Sequence, residues 1–149
     1  MSAALHLCGP DDLPALLPLV AAFHARAGID SDDAGRRDAL VALLNGTPHG
    51  TAYLIGPRRS PVGYIAISFG YSIELGGIDG FIDEFFIRQN IRGRGMGGEV
   101  LTSLLPALAE NGVKALHLEV SPANEGARKL YARAGFRLRD GYQLMTRKF

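Results

Sequence analysis

Arg92-Gly93-Arg94-Gly95-Met96-Gly97-Gly98 is the segment of this chain whose residue types most plainly suit chemistry. Its four glycines let the backbone turn several N–H groups toward one point. The apolar residues that follow, Val100, Leu101, Leu104, Leu105 and Leu108, recur at helical spacing, so the loop opens onto a helix N-terminus. That arrangement binds anions, phosphate above all. Arg92 and Arg94 add charge-assisted donors suited to a pyrophosphate. Just upstream, Gly80-Phe-Ile-Asp-Glu-Phe-Phe-Ile87 reads as a strand that carries two adjacent carboxylates, Asp83 and Glu84. Alternation sends them to opposite faces, and buried strands seldom hold such pairs without a purpose. A structural pairing of one of them with an arginine such as Arg88 is the alternative.

Two patterns fit the glycine loop. Gly93, Gly95 and Gly98 form a G-x-G-x-x-G, and Glu119 falls ~20 residues on, where a ribose-binding acid is expected in a dinucleotide site. Against this, Arg88 to Arg92 separate the strand end from the first glycine, and about fifty residues remain after the loop, too few for the rest of a doubly wound domain. The second pattern, [Q/R]-x-x-G-x-[G/A], is met by Arg92, Gly95 and Gly97. Further on, Ser121 to Phe136 reads N-x-x-A-x-x-x-Y-x-x-x-G-F, with Asn124, Ala127, Tyr131, Gly135 and Phe136 in register.

These two motifs, in this order, resemble those of the GNAT superfamily of N-acetyltransferases, which bind acetyl-coenzyme A; the resemblance covers roughly residues 81–136. It implies a pyrophosphate site on Arg92, Gly93, Arg94, Gly95, Met96, Gly97 and Gly98. It also implies backbone groups of Phe85, Phe86 and Ile87 along the pantetheine arm and acetyl oxygen, with Asn124 near the cofactor. Tyr131 takes the place of the tyrosine that protonates the departing thiolate. The stretch I-D-E-F-F-I is similar to the L-E-D-F-F-V of spermidine/spermine N-acetyltransferases, which puts Asp83 where those have a glutamate and makes Asp83 or Glu84 the group that helps deprotonate an amine. Asparagine is also a good helix N-cap, and Tyr131 lies beside the apolar stripe Ala127, Leu130 and Ala134, so capping and packing are the structural alternatives. Tyr71, Glu74 and Asp79, in a stretch expected to be a loop beside the acceptor cleft, offer an aromatic face and two carboxylates to a cationic amine.

The elements that must hold these residues follow from the pattern. Ala3–Leu7 reads as a strand. Asp11 caps a first helix with Pro14 in its first turn, and a kink or break is expected at Pro18. Residues 32–45 read as a second helix ended by Gly46. Thr51–Ile55, Val62–Phe69 and Gly80–Ile87 are strands, the first two joined by the turn Gly56-Pro-Arg-Arg-Ser-Pro61. A helix to about Glu110, a strand Ala115–Val120, a helix Asn124–Ala134 and a final pair, Phe136–Leu138 with Tyr142–Arg147, complete the chain. The order β-α-α-β-β-β-α-β-α-β-β is that of the GNAT fold: a mixed α/β (α+β) protein with a mostly antiparallel central sheet flanked by helices.

The 149 residues suit one domain, 1–149. A net charge of +1 gives no reason to expect nucleic acid or an anionic membrane as partner. The single cysteine, Cys8, excludes an internal disulfide and suggests a reducing compartment; with no signal-peptide pattern and no apolar run of ~20 residues, a soluble cytoplasmic protein is expected. Cys8 itself reads as a small buried apolar residue. His24 and His49 lack metal-ligand spacing, His117 sits in a buried-type strand, and no metal is expected. The reading is transfer of an acetyl group from acetyl-coenzyme A to a primary amine of a small polyamine-like or amino-acid-like molecule. A protein N-terminus or lysine as acceptor, and a coenzyme-binding regulatory module without turnover, are the alternatives. Related folds often pair as homodimers, although nothing here specifies an interface.

Overall fold

The structure is a computed structural model that describes residues 3–91 and 93–149. The chain divides into two compact units, one running to Glu119 and one from Val120 to Phe149. In the first, β1 (Leu5–Leu7), α1 (Leu13–Ala27), α2 (Asp33–Leu44), β2 (Gly50–Ile55), β3 (Gly63–Ser72), β4 (Gly77–Ile87), α3 (Met96–Glu110) and β5 (Ala115–His117) follow in order. The second holds α4 (Glu125–Arg133). The sheet order is β1-β2-β3-β4-β5, antiparallel except for the parallel β4–β5 pair. A parallel pair needs a crossover, and α3 supplies it. No helix among the described residues is long and apolar enough to cross a membrane.

Register assigns the faces. Ala52, Leu54, Tyr64, Ala66, Glu84 and Phe86 are cross-strand partners on one face, where α1 packs on β3 and β4, and α2 on β2. There Leu16, Leu19 and Val20 of α1 and Leu40 and Leu44 of α2 join Tyr64 and Phe86 in one core. Ile65, Ile67 and Ile82 lie buried on the other face. α3 buries Met96, Val100, Leu101, Leu104 and Leu108, the stripe expected from spacing with Leu105 at its margin.

Three expectations change. α1 continues through Pro18 without a break. The lost N–H bond would reach the Pro14 carbonyl in the first turn; the cost of about 3 kcal/mol for an interior proline is offset by burial of Leu16, Leu19 and Val20, at roughly 1.5–3 kcal/mol per large side chain. The expected loop 71–79 is mostly ladder: β3 and β4 pair as far as Ser72 and Gly77, and only Ile73–Gly76 turns, closed by Gly76 at φ 85°. Residues 136–149, expected as a final strand pair, form no ladder within the second unit.

Candidate active site

The glycine loop reaches α3 as expected. Gly93 and Gly95 have φ of 79° and 75°, the left-handed region that a side chain disfavours by about 1–2 kcal/mol. A Cβ at either position would meet nothing within 4 Å, so the backbone lies open beside the helix start. Gly95 is the N-cap of α3, and Met96, at 4% exposure, anchors the first turn in the core. Gly97 and Gly98 follow as half-buried residues inside the helix, where each glycine costs about 1 kcal/mol relative to alanine. An open backbone at a helix N-terminus, flanked by Arg94, fits the phosphates of a coenzyme in donor chemistry and in space. Arg92 lies outside the described residues.

Directly before this loop the sheet opens. The β4–β5 ladder has three pairs and ends at Phe81 and His117, whereas β4 stays paired with β3 as far as Ile87. Phe85, Phe86 and Ile87 thus lie on the stretch of β4 beyond the end of β5, and the Phe86 side chain is core.

The two carboxylates occupy a register shift. Ala66 faces Glu84 and the next residue, Ile67, faces Ile82, so Asp83 is the extra residue of a bulge. The bulge breaks the simple alternation expected for β4: Ile82 and Glu84 leave on opposite faces although they are two residues apart. Asp83 is exposed, yet its pKa is raised, by loss of hydration first and by the Glu84 charge next, with Glu119 adding and His24 opposing. Glu84 is held on the α1 face. Tyr64 donates to its Oε1 at 2.7 Å, and His24 Nε2 lies 2.5 Å from its Oε2. Burial, then the charge and hydrogen bond of Glu84, push the Tyr64 phenol far up, so it stays a donor. Glu84 therefore pairs with a tyrosine and a histidine, not with the arginine considered above.

Tyr71, Glu74 and Asp79 do not converge. Tyr71 stands opposite Ile78 and Asp79 opposite Gly70, so the two side chains leave the hairpin on opposite faces. Glu74 sits in the turn between them. Asp79 instead meets His117 Nε2 at 3.2 Å, tying β4 to β5, which accords with a structural His117. Cys8 is half-buried against the first core, its thiol pushed up to about 12 mainly by burial.

In the second unit, the Asn124 side chain accepts the Ala127 N–H at 3.1 Å and caps α4. Tyr131 is half-buried, its ring edge-on to Phe136 with centroids 5.7 Å apart. Burial raises its pKa, so the phenol keeps its proton through neutral pH.

Sequence reasoning missed His24, Tyr64, Ser31 and Arg36 as members of the site. His24 Nδ1 is 2.7 Å from Ser31 Oγ, and Arg36 donates to the same oxygen at 2.8 Å. No local signal marked them, because His24 and Glu84 are 60 positions apart. Among the described residues no group of three His, Cys, Asp or Glu is placed to hold a metal.

An α/β sheet that opens beside a helix-capping glycine loop presents backbone donors suited to a phosphorylated ligand. Residues 19–136 match the Acetyltransferase (GNAT) family, and the chain belongs to it. It is similar to the N-alpha-acetyltransferase MAK3 of Arabidopsis thaliana, 37% identical over 57 residues, which span 38% of this chain and 30% of that protein. The match thus covers less than a third of that curated relative. An integron cassette protein, HFX_CASS3, from the mobile metagenome of Cole Harbour Salt Marsh superposes with a TM-score of 0.82 at 33% identity, over 97% of this chain and 89% of that one. The ribosomal-protein-alanine N-acetyltransferase of Brucella melitensis biovar Abortus 2308 shares the fold, with a TM-score of 0.78 at 18% identity over 100% of both chains.

Proposed function

We propose that this chain, one domain over residues 1–149, transfers an acetyl group from acetyl-coenzyme A to a primary amine. The observation that carries this reading is the end of the β4–β5 ladder at Phe81, which leaves the last part of β4, as far as Ile87, without β5 ahead of the glycine loop of α3. Family membership supports the cofactor. The N–H groups at the start of α3 and Arg94, with Arg92, hold the pyrophosphate. Backbone groups of Phe85, Phe86 and Ile87 lie along the acyl arm. Bound acetyl-coenzyme A supplies a thioester with a thiolate leaving group. Asp83, whose raised pKa makes it a better proton acceptor than an ordinary aspartate, takes the proton from the incoming ammonium. Tyr131, protonated at neutral pH, donates one to the departing sulfur, and Asn124 orients the helix that carries it.

The acceptor is a small cationic amine of polyamine-like or amino-acid-like type, a reading supported by the adjacent carboxylates Asp83 and Glu84. The relative named as an N-alpha-acetyltransferase favours a second reading, a protein N-terminus. The lone thiol of Cys8 accords with a reducing, cytoplasmic setting.

Thermal unfolding with acetyl-coenzyme A, coenzyme A and NAD(H) in parallel tests the cofactor, because a ligand of the native state raises the midpoint. Stabilisation by both coenzymes and not by NAD(H) is expected. Thiol release with polyamines, amino acids and peptides bearing free N-termini then ranks the acceptors. Binding without turnover on any of them would make the chain a sensor rather than an enzyme.

A further inference from the structure

Glu84 is the end point of a chain of donors drawn from four parts of the first unit. Tyr64 of β3 donates to Oε1, and His24, in the last turn of α1, meets Oε2. Ser31, in the connection between α1 and α2, meets His24 Nδ1. Arg36 of α2 donates to both the hydroxyl and the carbonyl of Ser31 at 2.8 Å and pairs with Asp33. The His24 and Glu84 side chains are 13% and 17% exposed, so a change of charge between them is weakly screened.

The hydrogens of this chain follow from its two ends. A guanidinium only donates, so Ser31 Oγ accepts from Arg36 and keeps its own hydrogen for another partner. With a neutral ring, Ser31 donates to Nδ1 and Nε2–H donates to Glu84. When Nδ1 gains a proton, the Ser31 hydroxyl rotates and accepts from Nδ1–H on its second lone pair. The His24 and Glu84 contacts persist in both states and no heavy atom has to move, the freed Ser31 hydrogen turning away from the ring. Only the charge differs. Glu84 with a neutral His24 is a net anion, and Glu84 with a protonated His24 is a net neutral pair.

We propose that His24 is a positioning residue whose proton sets the charge that Glu84 presents to a cationic acceptor, a proposal that rests on the amine-acetylation reading. The groups around the imidazole are Glu84 and, by its charge, Asp83 of β4, the Phe23 ring of α1 at 6.0 Å, and Ser31; Tyr64 of β3 is joined to it through Glu84, Arg36 through Ser31, and Asp33 through Arg36. Raising the pH removes the imidazolium and restores the net anion, so an ammonium binds better. Lowering it neutralises the subsite.

Two measurements on the full-length protein test this. Nitrogen NMR of the imidazole reads the chain without any acceptor. The neutral His24 ring is expected as the Nε2–H tautomer, with a titration displaced in Glu84→Gln and in Ser31→Ala. An Nδ1–H tautomer, or a titration indifferent to Glu84→Gln, overturns the proposal. Kinetics then use an amine that stays cationic from about pH 5 to 8. In the wild type its KM rises about tenfold toward acid pH, the effect of one neighbouring charge, while the KM for acetyl-coenzyme A holds. His24→Gln, which keeps an amide donor to Glu84 but carries no titrating proton, gives an amine KM near the wild-type alkaline value and loses most of the acid rise, the remainder following Asp83. A purely structural role predicts a lower kcat with the acid limb intact, and that result would also overturn the proposal. If the wild type acetylates no amine, the functional reading fails separately, and the NMR result still judges the chain.

Discussion

Asp83 and Glu84 are adjacent in β4, yet only Glu84 has a cross-strand partner, Ala66; Asp83 is the bulged residue. One extra residue gives two neighbouring carboxylates different environments. Glu84 is tied to Tyr64 and His24, and Asp83 is left outside the ladder with a raised pKa. Environments that separate two carboxyls in this way assign them different roles.

Asp83→Asn is expected to lower kcat/KM by about 10²–10⁴-fold, the usual contribution of a positioned base, with little change in coenzyme affinity. The same variant makes a stability prediction of opposite sense. A carboxyl whose folded pKa is raised favours the native state below its unfolded pKa, and that contribution is lost as pH rises through the folded value. Asp83→Asn should therefore be more stable than the wild type at pH 7, with the advantage vanishing in acid below the ordinary aspartate range. Thermal midpoints across pH would read it, and a uniform loss of stability at every pH would contradict the account.

Tyr131→Phe keeps the edge-on contact with Phe136 and removes the proton donor. A fall in kcat of about 10–100-fold is expected, toward the modest end for an acid because thiolate leaves readily, with unaltered KM for acetyl-coenzyme A and an unaltered melting point. Wild-type kcat in this variant would reduce Tyr131 to packing.

Alanine at Gly95 and at Gly63 should fail for different reasons. At Gly95 the added methyl has open space and the cost is conformational, about 1–2 kcal/mol. Weakened coenzyme binding is expected with a fall of a few degrees in Tm. At Gly63 the methyl would press into the Phe86 carbonyl oxygen and the Ile87 Cα. Overpacking of that kind costs about 1–3 kcal/mol and disturbs the β4 backbone itself. Coenzyme titration and melting of both variants separate the two effects.

Tyr64→Phe leaves Glu84 Oε1 without its donor. At 1% exposure for Tyr64, losing a hydrogen bond to a charged group should cost about 1.5–3 kcal/mol. Denaturant melting checks this; a neutral result would mean that water had replaced the hydroxyl.

Much of the architecture was legible locally. Asn124 caps α4 as its type suggests, its side chain accepting from Ala127 three residues on, whereas α1 starts at Leu13 after Asp12 rather than after Asp11. The α3 stripe follows from helical spacing, and the glycine loop breaks helix propensity where backbone must stay open. These features depend on interactions within about one helical turn, so residue order alone determines them. The bulge at Asp83, the hairpin that separates Tyr71 from Asp79, and the His24–Glu84 contact were not legible. Each depends on which residue of a distant segment lies opposite, and a one-residue change of register moves a side chain to the other face. The linear chain thus determined the glycine loop, the helices and the family motifs. Tertiary structure decided which carboxylate is bulged, which is bonded, and that a histidine from α1 belongs beside it, because long-range packing brings together side chains that sequence spacing leaves unrelated.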